Sequence, residues 1–267
     1  LIANPDAVAG IAILPYDNGL QSSLEKIATA GVPFVQFDRV INSDILDANS
    51  IANVKGDNEG IGYETAKRFL DNGLSKDDYV YELIGDTSSV PELRAAGFEK
   101  GLKEAGWTDD EIAAAVVKSA ATGWSRDTGK ELFESWFDSA QCDPSKKIWI
   151  FTHDDEIAMG VLESLNGSAL DATKKEAFLG SLQALSASSG LAEIYAVLKG
   201  THQVIETPAF DLFSVTYDPA MIKEAIGIAV DAAMGSADVE QDYIIPVSVV
   251  DATNVGDFQP FGSYDEK

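Results

Sequence analysis

Short apolar runs alternate along the whole chain with longer segments whose apolar positions recur at helical spacing. In Gly19–Ala30, for example, Leu20, Leu24 and Ile27 share one helical face. The pattern predicts strands over Val8–Leu14, Val32–Phe37, Ser50–Val54, Tyr79–Ile84, Ala114–Ser119, Ile148–Thr152, Ala177–Leu182, Phe210–Thr216 and Ile244–Val250. It predicts helices over Gly19–Ala30, Gly56–Asn72, Val90–Ala105, Thr128–Ala140, Ile157–Asn166, Gly190–Leu198 and Ala220–Met234. This alternation is typical of an α/β fold, in which helices cover both faces of parallel sheets.

The net charge of the chain argues against one class of partner, the nucleic acids. The 267 residues carry a formal net charge of −25 at pH 7, and such a surface repels a phosphate backbone unless basic residues are concentrated in one place. The densest basic stretches are only the pairs Lys146-Lys147 and Lys174-Lys175. We therefore expect no nucleic-acid partner. No apolar run has the roughly 18 residues of a membrane span.

Cysteine and histidine are scarce. Cys142 is the single cysteine, and His153 and His202 are the only histidines. One cysteine allows no disulfide framework, and so few soft ligands make a zinc centre improbable. The sequence predicts neither a metal site nor a cofactor.

Polar side chains follow several of the predicted strands directly. Ligands of open parallel α/β sheets bind beyond the carboxyl ends of the strands, so these positions are candidates for a site. Taken singly, each could instead be a helix cap or a surface turn. The strand-end groups are Asp38-Arg39, the loop from Gly85 to Ser89 that leads to Glu92, His153-Asp154-Asp155-Glu156, and Tyr217-Asp218.

The order of motifs resembles one known family over nearly the whole chain. The matching stretches are DAVAGIAILPYDN, AGVPFVQFDRV, GDNEGIGYETAKRFL, ELIGDTSSVPELRAAGFEKGLKEAG, IWIFTHDDEIAMGVLESL and VTYDPAMIKEAIGIAVDAAMG. They resemble the type I periplasmic binding proteins, the pentose and hexose binders of ABC importers. The same core also serves as the effector domain of lactose-repressor-type regulators.

The resemblance implies two Rossmann-like, doubly wound lobes joined by a three-strand hinge, with the ligand in the cleft between them. The crossings would fall near Ile51–Gly56, Val215–Asp218 and Pro246–Val249. One lobe would comprise residues 1–54 and 218–246, and the other residues 55–217 and 247–267. The family also has two βα units, roughly 50–60 residues, before the strand at Val8–Leu14. We therefore expect the natural protein to extend upstream, beginning with a signal peptide.

The resemblance also implies roles for particular residues. Asp38 and Arg39 match the strand-end Asp-Arg pair that binds sugar hydroxyls, although a salt-bridged turn is the alternative. Trp124 falls where the family carries a stacking aromatic ring, and Tyr217 takes the place of a family amide. Asp154 lies where sugar binders usually carry Asn.

His153 is a further candidate because it flanks Asp154, and Tyr16 is another because it follows the first predicted strand. Two departures from the family pattern change the expected pocket. Glu92 stands where the family usually has Arg, which leaves Arg94 as a structural residue, and in GSLQALS Leu182 stands at a family Asp, with Gln183 as an imperfect substitute. A pocket with added carboxylates favours an uncommon sugar, a polyol, an amino sugar or another cation-bearing ligand.

The leading hypothesis is a solute-binding protein that delivers a sugar-like ligand to an ABC permease. Such a protein acts outside the cytoplasm, in the periplasm or held at the cell surface by a lipid anchor that is not part of this sequence. A regulator's effector domain is the alternative, and the negative charge speaks against it. An enzyme is a third hypothesis, with Asp38, Glu92 and Asp154 as glycosidase carboxylates, but binding sites use carboxylates without chemistry.

Overall fold

The computed structural model describes residues 2–16, 18–218, 220–235 and 242–260. The described residues form ten strands: β1 (Ile11–Ile13), β2 (Phe34–Phe37), β3 (Ala52–Gly56), β4 (Tyr79–Leu83), β5 (Val116–Lys118), β6 (Ile148–Thr152), β7 (Leu182–Ser189), β8 (Asp211–Thr216), β9 (Asp242–Ile245) and β10 (Val249–Asp251). The helices are α1 (Gln21–Thr29), α2 (Asp44–Asn49), α3 (Asn58–Asp71), α4 (Ser89–Glu104), α5 (Asp109–Ala115), α6 (Arg126–Asp138), α7 (Asp155–Asn166), α8 (Ala172–Ser181), α9 (Ala192–Leu198) and α10 (Met221–Ala233). The predicted α/β class is confirmed.

The chain divides into two compact units. The first comprises residues 1–57 and 218–246, and the second comprises residues 58–217 and 247–267. No helix among the described residues has both the length and the apolar composition to cross a membrane.

The first unit contains a four-stranded parallel sheet in the order β1-β2-β3-β9. In its register Val35 lies opposite Ala52, and Val54 lies opposite Tyr243. Helix α10 packs against β1, β2 and β3. A small core on this unit joins α1, α2 and β2 through the buried side chains Leu24, Ala28, Phe34, Ile41 and Leu46.

One stripe of α10 is apolar and exposed. Ile222, Ile226 and Val230 recur every fourth residue on this helix, Met234 follows directly after its end, and all four are solvent-exposed. The same apolar surface includes Ala12 of β1 and Gly10, which directly precedes this strand. The two upstream βα units expected from the sequence concern chain outside the printed residues, and that expectation stays a prediction.

The second unit contains a six-stranded sheet in the order β10-β8-β7-β6-β4-β5, parallel except for β10. Successive side chains of a strand point to opposite faces, so each face has its own core. Trp149 and Phe151 pack with α3, α4 and α5, whereas Ile148 and Ile150 pack with α6, α7, α8 and α9. The sheet is therefore covered on both faces, as the apolar runs predict.

Helices α3 and α4 touch through their backbones. A Cβ on Gly62 would lie 1.8 Å from the carbonyl oxygen of Arg94, and a Cβ on Gly97 would lie 1.9 Å from that of Glu59. No side chain fits at either position without moving a helix, so these two glycines fix where α4 lies on the sheet.

The predicted strand Ala177–Leu182 is wrong. Residues 172–181 form α8, which Asp171 caps by accepting a hydrogen bond from the Lys174 amide over 2.8 Å. The strand that follows, β7, reads LQALSASS and is almost entirely buried. Its small Ser and Ala side chains give no apolar run, which explains why the periodicity placed the strand too early.

The prediction of one strand over Ile244–Val250 is also wrong, because β9 and β10 are separate strands in different sheets. Pro246 lies between them and has no backbone N–H to donate. The pattern missed two short helices, α2 and α5. Thr108 and Glu111 form a complete capping box at the start of α5. The helix continues to Ala115, and β5 occupies Val116–Lys118 within the strand predicted over residues 114–119.

Candidate ligand-binding site

The carboxyl ends of β4 to β8 bring a set of polar and aromatic residues to one edge of the second unit. The parallel strands of this sheet place their following loops on the same side. Gly85 and Asp86 follow β4, Trp124 lies in the loop after β5, and His153 and Asp154 follow β6. Ser189 ends β7, and Tyr217 follows β8.

Arg94 of α4 lies at the centre of this edge. Its side chain is only 3% exposed. Nε donates to Asn58 Oδ1 over 3.0 Å, and Nη1 donates to Ser188 Oγ over 3.0 Å and to the carbonyl oxygen of His153. The guanidinium carbon also lies 5.4 Å from the ring centre of Trp124 and 5.1 Å from that of Tyr217. These distances are within the range of cation–π contacts.

Trp124 is held in an unusual backbone conformation. Both Trp124 and Gly123 have φ of 63°, a left-handed conformation that a tryptophan rarely adopts. The loop is tied to the end of β4, because the Gly123 amide donates to the Gly85 carbonyl over 2.9 Å and Thr122 Oγ1 donates to the Ile84 carbonyl over 2.9 Å. The indole ring then lies on the Gly85 backbone, where a Cβ would be 2.2 Å from Cη2 of Trp124. This arrangement fixes the ring at the strand ends instead of in the core.

Asp154 is a half-buried carboxyl at the same edge. It caps α7 by accepting a hydrogen bond from the Glu156 amide over 2.9 Å. Burial, reinforced by the neighbouring Asp155, raises the pKa of Asp154 to about 7, although the Glu156 amide and Arg94 favour the ionised form. The carboxyl therefore keeps its proton to a higher pH than an ordinary aspartate does, and the protonated form can donate as well as accept.

Asp155 has a structural task. The fully buried carboxyl accepts hydrogen bonds from the amides of Gly190 and Leu191, over 2.7 and 2.5 Å, and from Ser214 Oγ over 2.8 Å. Burial raises its pKa to about 6. Asp155 thus ties the start of α7 to the end of β7 and to β8, and it holds the loop that carries Asp154.

His153, predicted to flank the ligand, has its side chain in the interior. The ring is 0% exposed, and Nε2 lies 2.9 Å from Oε1 of Glu82 on β4. Burial lowers the pKa of His153, although Glu82 opposes this effect, and Nε2 is hydrogen-bonded to the Glu82 carboxyl. The expectation of a side-chain ligand contact is corrected by this burial. His153 serves the site through its carbonyl oxygen, which Arg94 binds.

The structure places Glu92 and Arg94 in different surroundings. The two residues are two positions apart on α4 and so lie on different faces of the helix. Glu92 is exposed in the first turn, whereas Arg94 is buried among the strand ends. Arg94 contacts both aromatic rings of the strand-end group, and its assignment as a structural residue stays a prediction.

Gln183 was expected just beyond the carboxyl end of a strand. Because β7 runs from Leu182 to Ser189, Gln183 lies at the beginning of this strand, at the opposite edge of the sheet. The side-chain Nε2 of Gln183 donates to the Ser181 carbonyl oxygen over 2.7 Å. The reasoning that placed Gln183 in the site is therefore wrong, and Ser189 occupies the strand end.

The first unit has its own group of candidates at the ends of β1 and β2. Arg39 Nη1 donates to the carbonyl oxygen of Tyr16 over 2.7 Å, and the guanidinium carbon lies 5.6 Å from the Tyr16 ring centre. Asp38 has φ of 63°, and its amide donates to the Val54 carbonyl over 2.8 Å. The three predicted residues of this unit therefore lie together on neighbouring strand ends.

No group of three or more His, Cys, Asp or Glu side chains in the described part of the chain has the geometry to hold a metal ion. The second unit instead offers two aromatic rings, a buried guanidinium and a half-buried carboxyl at one edge. These groups are suited to a neutral ligand with many hydroxyls, since rings cover its apolar face and charged groups bind its hydroxyls.

Comparison with known families identifies the family to which this fold belongs. The model of a family described as a periplasmic binding protein domain matches residues 2–235. The chain belongs to this family. No curated protein sequence matches the chain.

Solved structures share the fold. A galactofuranose-binding protein is 17% identical, with a TM-score of 0.73 over 96% of this chain and 79% of that one. The arabinose-transporter binding protein of Shewanella sp. ANA-3, bound to L-arabinofuranose, is 18% identical, with a TM-score of 0.73 over 96% and 77%. A solute-binding protein of Bacillus halodurans C-125 with bound myo-inositol is 20% identical, with a TM-score of 0.67 over 96% and 80%.

Sequence reasoning missed Arg94, Asn58 and Ser188 as members of the site. One signal was available for Arg94: with Val90, Gly97 and Phe98 it follows the spacing of the buried face of α4. An arginine on a buried face needs several partners. Which partners these are depends on contacts between distant elements, and the linear pattern does not contain that information.

Proposed function

We propose that this protein binds a sugar or polyol and delivers it to the permease of an ABC importer. The observation that carries the proposal is the group of Trp124, Arg94 and Tyr217 at the strand ends of the second unit. Family membership supports it, as do the furanoses and the inositol bound by the neighbouring structures.

The chemistry of the candidates fits such a ligand. Aromatic rings bury the C–H face of a sugar at low cost in conformational entropy. Asp154, Asp38 and Arg39 would form charge-assisted hydrogen bonds with hydroxyl groups. Because the pKa of Asp154 is raised, its protonated form would donate to a hydroxyl and its ionised form would accept from one.

The proposal includes the transport cycle that the family resemblance implies. The two units would close on one ligand by a hinge motion, and the closed form would dock to the permease. The protein would act outside the cytoplasm, in the periplasm or attached to the cell surface through a lipid anchor. It would release the ligand unchanged.

A calorimetric titration against a panel of pentoses, hexoses, inositols and amino sugars tests the proposal, after a thermal-shift screen has selected candidates. A ligand at 100 times its dissociation constant adds about 2.7 kcal/mol of stability. We expect one class of compound to shift the melting temperature. Trp124→Ala should weaken the binding of that compound by about 30-fold, or roughly 2 kcal/mol.

Tyr63→Phe is the control, because Tyr63 lies on α3 and bonds Glu104 on the side of the unit away from the strand ends. The Tyr63→Phe variant should bind the ligand with the affinity of the wild type. A folded protein that binds nothing in the panel would refute the proposal. So would a ligand whose affinity is unchanged by both Trp124→Ala and Asp38→Ala.

The alternative of a regulator's effector domain is not favoured by the family match or by the structures described above. The enzymatic alternative is tested by incubating the protein with each bound compound and recording NMR spectra. We expect unchanged spectra, and any turnover would contradict a pure binding role.

A further inference from the structure

Gln36 is a buried amide in the sheet of the first unit. It lies on β2 opposite Asn53 of β3, and it is 0% exposed. Its side chain bonds both backbone groups of Ile41: Oε1 accepts from the Ile41 amide over 3.1 Å, and Nε2 donates to the Ile41 carbonyl oxygen over 3.1 Å. Nε2 also donates to Oδ1 of Asn53 over 3.3 Å. A primary amide has two N–H donors, so both donors of Gln36 are used.

The loop that these bonds close carries two of the candidate ligand residues, Asp38 and Arg39. The sheet holds the loop at Phe37, the last residue of β2. Gln36 holds it at Ile41, which is 3% exposed and belongs to the small core of this unit. Three residues between two fixed points have few conformations open to them. The bonds of Gln36 therefore restrict the directions in which Asp38 and Arg39 can point.

The orientation of the Gln36 amide is itself set by a row of polar groups across β2, β3 and β9. Asn53, which is 4% exposed, donates from Nδ2 to Asp242 Oδ1 over 3.3 Å. Lys55 Nζ lies 3.3 Å from the same carboxylate oxygen. Because the NH₂ group of Asn53 is bound to Asp242, its oxygen faces Gln36 and accepts there. This leaves the Gln36 oxygen for the Ile41 amide.

We propose that Gln36 is a positioning residue for ligand binding: it fixes the loop conformation in which Asp38 and Arg39 bond the hydroxyls of the sugar. This inference rests on the proposed function. Groups that are already ordered bind without the entropy cost of ordering them. An apolar side chain of similar length would leave the buried N–H and C=O of Ile41 without their partner, which favours loop conformations that hydrate them.

The test is the variant Gln36→Met, with Gln183→Met as a matched control. Methionine has a similar length and lacks the amide. Gln183 lies in the other unit, at the beginning of β7, and its amide bonds a single backbone carbonyl. Gln36→Met should weaken sugar binding by about 10-fold, and Gln183→Met should leave the affinity within about twofold of the wild-type value. Full affinity in Gln36→Met would overturn the proposal.

A double-mutant cycle separates positioning from general damage. If Gln36 acts through the loop, Gln36→Met should cost at least about threefold less affinity in the Arg39→Ala background than in the wild type. Equal losses in the two backgrounds would show that Gln36 affects binding by another route. Circular dichroism and urea unfolding establish that each variant is folded. If Gln36→Met does not fold, Asn53→Ala replaces it, because it removes the acceptor that orients the Gln36 amide and leaves Gln36 in place.

Amide hydrogen exchange followed by NMR tests the same point without any ligand. The Asp38 amide donates to the Val54 carbonyl over 2.8 Å, and the Ile51 amide donates to the Phe34 carbonyl, at the other end of β2, over 2.8 Å. In Gln36→Met the Asp38 amide should exchange about 10-fold faster, whereas the Ile51 amide should keep its wild-type rate. An unchanged rate at Asp38, or the same acceleration at both amides, would contradict a local positioning role.

The binding probes are L-arabinose, D-allose and myo-inositol. If none of them binds the wild type while Gln36→Met accelerates exchange at Asp38 alone, the proposed function fails and the ordering of the loop by Gln36 stands. If a probe binds the wild type and Gln36→Met alike, the proposed function stands and the positioning role of Gln36 is lost.

Discussion

Substitution of Gly62 by alanine should move α4 and with it the candidate site. The new Cβ would lie 1.8 Å from the Arg94 carbonyl oxygen and 2.6 Å from the Phe98 amide nitrogen. Both are backbone atoms, so no side chain can rotate away, and α4 must shift by about 1.5 Å to restore an ordinary contact. Overpacking typically costs about 1–3 kcal/mol, and a contact with two backbone atoms belongs at the upper end of that range. The cost should therefore exceed the gain of about 1 kcal/mol that alanine brings within a helix.

Urea unfolding followed by far-UV circular dichroism measures this effect, with Gly180→Ala as the control. Gly180 also lies inside a helix, α8, but a Cβ there meets nothing within 4 Å. We expect the midpoint of Gly62→Ala to fall and that of Gly180→Ala to rise. Gly62→Ala should also weaken sugar binding, because the displaced backbone belongs to Arg94. If Gly62→Ala and Gly180→Ala are both at least as stable as the wild type, the close contact between α3 and α4 is refuted.

Three further changes have defined outcomes. Arg68→Met leaves the carboxylates of Asp211 and Asp251 without their shared cation. The variant should therefore lower the free energy of unfolding by about 1–3 kcal/mol in urea titrations. A free energy within error of the wild-type value would contradict a stabilising role of these ion pairs. The raised pKa of Asp154 means that the folded state binds the extra proton, so its contribution to stability should decline as the pH rises from about 4 to 7. Asp154→Asn should abolish that part of the pH dependence, and parallel curves for the two proteins would disprove the assignment. Thr108→Ala removes the capping box of α5 and should cost about 1 kcal/mol by the same assay; an unchanged midpoint would show that the cap does not stabilise the fold.

Much of the fold could be predicted because its central strands are buried on both faces. Ile148–Thr152 is predicted and observed with the same bounds, because a short, continuous run of large apolar residues is typical of a fully buried strand. The pattern of apolar residues does not reveal a strand whose buried side chains are small, as in the Ser- and Ala-rich β7. It also fails where a short helix depends on its cap, as in α5.

The candidate site was partly predictable for a related reason. Trp124, Asp154 and Tyr217 follow strands, and the topology of a parallel sheet brings strand ends to one edge. Arg94 could not be assigned in this way, because it lies inside a helix and gains its role from Asn58 and from the two rings. Its contacts join elements that are far apart in the chain, and local periodicity carries no information about such pairs.

The pairing of β3 with β9 bears on the order in which the two sheets form. In this register Asn53 lies opposite Asp242, although 189 positions separate the two residues in the chain. The five parallel strands of the second sheet all lie between Tyr79 and Thr216, so they pair over shorter separations. Because the entropy cost of closing a loop rises with its length, we expect the β3–β9 pairing to form after the local βα contacts of the second sheet.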